Sequence, residues 1–145
     1  MSTNVHHLVR DLASSLSLVV FVGFATASFA DAAGSQNDVT RKTVLVEKLV
    51  NVPGKQLTAI VVDVPPGARS AKHHHGGTVF VYVLSGALQV RFSGQKLRDY
   101  HAGEAFYEAP GTEHLYSRNL SKTKAVRLLA VFIADDGATL TTYDK

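Results

Sequence analysis

A chain of 145 residues with 46% apolar side chains can bury one core and has little room for a second. Its 15 basic and 12 acidic residues are interspersed, without the basic stripe or cluster of a nucleic-acid surface. Cysteine is absent, which excludes disulfides, thiolate metal sites and cysteine nucleophiles.

The first thirty residues differ from the rest. Arg10 closes a short polar start, and Leu16 to Phe24 is apolar apart from Ser17. Ser28-Phe29-Ala30 then sets small residues at the first and third positions. This pattern predicts a secretory signal peptide over residues 1–30, cut before Asp31. A membrane anchor is the alternative. A spanning helix needs about 20 apolar residues, and this run is shorter and diluted by Ser14, Ser15, Thr26 and Ser28. Residues 31–39 read as a flexible leader and 40–145 as one domain. The expected location is periplasmic or secreted, with no membrane span left after processing.

From Thr40 onward, strands and turns follow one another. Val44-Leu45-Val46 and Leu49-Val50 form a run closed by Pro53-Gly54. Leu57 to Val64 ends at Pro65-Pro66-Gly67, and Thr78 to Leu84 at Ser85-Gly86. Leu88 to Phe92, Leu97 to Tyr100 and Ala105 to Glu108 follow, each closed by a glycine turn. His114 to Asn119 and Ala125 to Ile133 complete the set. Short runs at regular spacing predict an all-β sandwich or barrel, and no amphipathic helical period competes. Residues 79–84 and 126–133 are apolar on both faces. They need cover from a second sheet plus either the N-terminal strands or a partner subunit, and a homodimer is expected.

His73 and His75 are two apart, so an extended backbone puts both rings on one face and His74 on the other. Pro65-Pro66-Gly67 is read as the turn that starts their strand. Imidazole suits zinc, copper, iron and nickel, and a third ligand must come from elsewhere. An exposed histidine-rich loop is the alternative.

The surrounding pattern resembles the cupins. Gly67, five residues, His73-His74-His75 and then Gly86 are similar to the first cupin motif, Gly-x5-His-x-His-x3,4-Glu-x6-Gly. Gly103 to Asn119 is similar to the second, Gly-x5-Pro-x-Gly-x2-His-x3-Asn, with Gly103, Gly111 and His114 in register. The resemblance implies a cupin-type double-stranded β-helix, a jelly-roll barrel. It also implies one divalent metal ion (Fe, Zn, Mn, Ni or Cu) on His73, His75 and His114, and a small-molecule ligand or substrate. Three positions depart from the pattern. Val79 stands where the metal-binding Glu belongs. Ala109 stands where Pro belongs, with Pro110 one later, and Asn119 comes one residue late, behind Arg118. Three histidines without the Glu are neutral ligands, so the ion keeps its full charge and favours an anionic or enolate oxygen donor. Three-histidine iron sites occur among cupin dioxygenases for thiols and β-diketones. The resemblance therefore implies an oxygenase acting on a small organic acid, thiol or dicarbonyl. A non-catalytic binding or sensor module is the alternative.

Glu108 is the candidate catalytic residue. A hairpin centred on Gly111 sets 108 opposite 114, on one face, and a carboxylate pointing inward must be paired or metal-bound. It can serve as a fourth ligand, orient His114 or carry a proton; a twisted strand would instead leave it solvated. The same hairpin pairs Phe106 with Tyr116. Tyr82 reads as packing, and His101 and Glu104 as exposed turn residues.

Overall fold

The computed structural model describes residues 39–144. The signal-peptide reading, and the leader up to Asp38, lie outside the described residues. Ten strands are present: β1 Thr40–Lys48, β2 Lys55–Val64, β3 His73–His74, β4 Thr78–Ser85, β5 Ala87–Phe92, β6 Arg98–His101, β7 Ala105–Glu108, β8 His114–Asn119, β9 Val126–Asp135 and β10 Thr142–Tyr143. Among the described residues there is no helix, and so none long and apolar enough to cross a membrane. The strands form two five-stranded antiparallel sheets, ordered β1-β2-β9-β4-β7 and β10-β3-β8-β5-β6. This is the all-β architecture expected from the turn spacing, in the jelly-roll form that the cupin resemblance implies.

The period of two decides what lies inside. Along β4, Val79, Val81 and Val83 are buried while Phe80, Tyr82 and Leu84 are exposed. Leu88, Val90 and Phe92 of β5 and Val126, Leu128, Ala130 and Phe132 of β9 turn inward to meet them. The outer apolar side chains are left uncovered, with Phe80 45% exposed. β1 is exposed along its whole length and shields none of them. Tyr82 therefore belongs to an open outer face and not to the packing.

Three expectations about local pairing are corrected. The turn at residues 65–67 does not open the histidine strand. β3 is only two residues long and begins six residues after Gly67, with a lone bridge from Arg69 to Arg118 between them. Glu108 and His114 are not ladder partners. β7 pairs with β4, and β8 pairs with β5 and β3, so the 109–113 link crosses from one sheet to the other. Phe106 accordingly pairs with Val81, and Tyr116 with Arg91. The turn itself is as read. Thr112 N–H donates to Ala109 O at 3.0 Å, and Gly111 takes a φ of 73° behind Pro110. That is the type II arrangement, which needs glycine at its third position.

Candidate metal centre

Three buried histidines come together at one end of the barrel. His73 lies on β3, His75 just beyond it and His114 at the first position of β8, where the ladder sets it opposite His73. The ring of His73 is 4.9 Å from that of His75 and 4.6 Å from that of His114. One nitrogen from each ring falls within 4.8 Å of the others. His74 turns away, as its place in the strand requires, and holds Asp144 Oδ1 at 3.0 Å. Gly77 permits the return into β4, because a side chain there would strike the Ile133 carbonyl and Ala134.

Backbone partners orient two of the rings. His73 Nδ1–H donates to Ala71 O at 2.8 Å, and His75 Nδ1–H to Leu140 O at 3.0 Å, with Thr141 Oγ1 at 3.1 Å. A carbonyl accepts only from a protonated nitrogen, so Nε2 keeps its lone pair on both rings, as a ligand must. Burial pushes the pKa of His73 down to about 4, helped by His114 and His75 and opposed by the Ala71 carbonyl and Glu108. Burial lowers His75 as well, against the pull of Glu108. His73 and His75 are thus neutral near pH 7, the form that binds metal.

A pH dependence follows. The unfolded chain binds a proton at His73 that the folded chain refuses, so stability rises with pH. The metal-free protein is expected to lose stability as pH falls from about 6.5 to about 4, by on the order of 3 kcal/mol from this ring alone. Urea midpoints at neutral and acid pH measure it. Equal midpoints would mean that the ring is not held neutral by burial.

Glu108 reaches the cluster from the opposite sheet. Its carboxylate is 3% exposed, with Oε2 3.4 Å from His114 Nδ1 and 3.7 Å from His75 Nε2. The expected meeting of 108 and 114 thus occurs across the barrel interior. Glu108 Oε2 and both nitrogens of His114 are buried without a hydrogen-bond partner. Unpartnered buried polar atoms are costly and rare. Here they gather beside two rings whose Nε2 atoms are free, so the donor set fits a divalent cation.

A pocket of about 120 Å³ adjoins the cluster and is lined largely by Val, Ile, Leu and Phe side chains. Arg41 and Tyr143 also line it, and Arg41 Nη2 donates to Tyr143 Oη at 3.1 Å. Tyr143 sits on β10, its ring 5.7 Å from that of His73. Sequence reasoning missed Arg41, Tyr143, Leu140 and Thr141. They come from the two ends of the domain, and no local spacing connects them. His101 and Glu104 are exposed and share a turn away from the cluster, as expected.

Comparison with known proteins gives one coherent result. A family model described as a cupin domain matches residues 60–132, half of the chain. Among solved structures, an uncharacterized protein with a double-stranded β-helix domain from Klebsiella pneumoniae aligns with a TM-score of 0.59 and 20% identity, covering 77% of this chain and 88% of its own. The Cnp3 cupin domain of Schizosaccharomyces pombe gives 0.56 and 22%, covering 79% and 70%. A cupin 2 conserved barrel domain protein from Salinispora arenicola gives 0.53 and 24%, covering 68% and 77%. At these identities the likeness is one of fold. No curated protein matches the chain.

Proposed function

The chain belongs to the cupin family, and from that footing we propose that it holds one divalent metal ion on His73, His75 and His114 and acts as an oxygenase on a small organic acid, thiol or dicarbonyl. The observation that carries the reading is the convergence of three buried histidines beside an apolar pocket. When bound, the ion supplies Lewis acidity and, if it is iron, a site for dioxygen. The chain's own part is to hold the rings neutral and oriented through Ala71, Leu140 and Thr141. The pocket's apolar walls keep water from the ligand, and Arg41 offers a cation to an acidic one. Oxygen uptake by the iron-loaded protein, run against a panel of such substrates, tests the reading. Uptake above the metal-free control supports it, and none across the panel sinks it.

One observation favours a non-catalytic module that binds or senses a small molecule. Val79 stands where the cupin pattern sets a metal-binding Glu, and the three-histidine set that remains suits holding a ligand as well as turning one over. Tight binding of a small acid by metal-loaded protein without turnover would establish that reading instead.

We further propose export, on the signal-like residues 1–30, and a homodimer. N-terminal sequencing of the native protein tests the first; a chain that starts at Asp31 supports it, and a retained Met1 in the membrane fraction favours an anchor instead. For the second, Phe80, Tyr82, Leu84 and Ile133 are all exposed on one sheet, a concentration that a lone soluble domain seldom presents. Sedimentation is expected to give twice the mass of one chain. A single-chain mass over a wide concentration range would exclude the dimer.

A further inference from the structure

We propose that Glu108 is a fourth protein ligand, a carboxylate supplied from β7 in place of the one that the cupin pattern sets at position 79 on β4. The inference rests on the metal reading above and adds to it the charge and composition of the donor set.

The ladder between β4 and β7 carries it. Val79 and Glu108 are directly paired, and both are buried on the inner face. Paired positions hold their Cβ atoms about 4.5–5.5 Å apart. A glutamate side chain spans that gap, so a carboxylate rooted at either position can reach the same point. The chain has exchanged the two. The apolar residue stands at 79, and the acid stands at 108.

The surroundings separate a ligand from the other roles open to Glu108. A residue that orients His114 must accept a hydrogen bond from it, yet Oε2 and His114 Nδ1 lie 3.4 Å apart and neither has a hydrogen-bond partner. A solvated side chain must reach water, and this one is buried. A ligand must sit one coordination edge from its neighbours. Bonds of about 2.0–2.2 Å at tetrahedral angles put donor atoms about 3.3–3.6 Å apart. The 3.4 Å to His114 Nδ1 falls within that range, and the 3.7 Å to His75 Nε2 lies just beyond it. With Glu108 bound, a divalent ion carries one net positive charge in the site, which suits a monoanionic ligand.

Cobalt(II) and zinc titrations of wild type, Glu108→Gln, Glu108→Val and the exchanged pair Val79→Glu/Glu108→Val provide the test, with His114→Ala as control. Glu108→Gln and Glu108→Val are expected to weaken binding by more than the roughly 10–100-fold typical of an outer partner, and to change the visible spectrum of bound cobalt. The exchanged pair is expected to recover most of the affinity and the wild-type spectrum. Metal-free Glu108→Val is expected to melt at least as high as wild type, because an unpaired buried charge has gone. Wild-type affinity and spectrum in Glu108→Val would overturn the inference and leave the three-histidine site standing. Unaltered binding in His114→Ala, or no stoichiometric binding by wild type, would overturn the metal reading itself.

Discussion

His73→Ala, His75→Ala and His114→Ala are each expected to purify without stoichiometric metal, while His74→Ala keeps it. The four residues are close in space, and three of them stand within three positions of one another. Their chemistry nevertheless differs. His73, His75 and His114 are buried, with ring nitrogens in reach of one point. His74 is half-buried and bonded outward to Asp144. A divalent ion on a four-donor protein site gains about 10–16 kcal/mol in all, so one lost donor costs about 3–4 kcal/mol. That is two to three decades in affinity. Elemental analysis of the four purified variants reads the result directly. Full occupancy in His114→Ala would dismiss the site, and loss in His74→Ala would show that the face assignment is wrong.

Asn119→Ala is expected to destabilise the fold by about 3–5 kcal/mol, the range reserved for broken buried networks. The side chain is almost fully buried. The two N–H groups on its Nδ2 serve three carbonyls, one of them shared, with Val64 O at 3.0 Å, Pro65 O at 3.0 Å and Lys124 O at 2.9 Å, and its Oδ1 accepts from Ser121 N at 2.8 Å. One amide thus ties the end of β2 to the loop between β8 and β9. Removal strands three carbonyls and an N–H, and each such group left buried costs about 1–3 kcal/mol. For a domain of about a hundred residues the melting point should fall by some 15–30 °C. Thermal melts of metal-free wild type and variant measure it. A change below about 1 kcal/mol would mean that water replaces the amide at no cost. Asn119→Asp should fare little better, because it keeps the acceptor and loses both N–H donors to the three carbonyls.

Asn119 also shows how far the sequence could be read. It sits five residues after His114, and in a regular strand an odd separation sends side chains to opposite faces. Both nevertheless point inward. The pairing of β5 with β8 explains it. Arg91 faces Tyr116 and Phe92 faces His114, so Leu115 is an extra residue, a bulge that resets the alternation. The late Asn was visible as a departure from the cupin pattern. The bulge that repairs it was not, since nothing in the composition of Leu115 marks it.

The strands themselves were legible, because β-branched runs between glycine turns leave little choice. So was the inward face of Val79, Val81 and Val83. The sheet to which each strand belongs was hidden. Pro110-Gly111 gives the same local turn whether β7 and β8 pair or part. A hairpin reading therefore placed Glu108 correctly inside but paired it with the wrong strand, and Phe106 and Tyr116 with each other. The short β10 escaped for another reason. It has only two residues, and it exists through a partner about seventy positions away.

The carbonyl of Leu140 that sets the His75 ring comes later in the sequence than all three ligand histidines, and it bears on the order of events during synthesis. His73, His75 and His114 are all made before it. Until residues 140–143 are made and β10 docks on β3, His75 lacks the Leu140 carbonyl and Tyr143 is not beside His73. A nascent chain therefore offers loose imidazoles, and the finished chain offers an organised site.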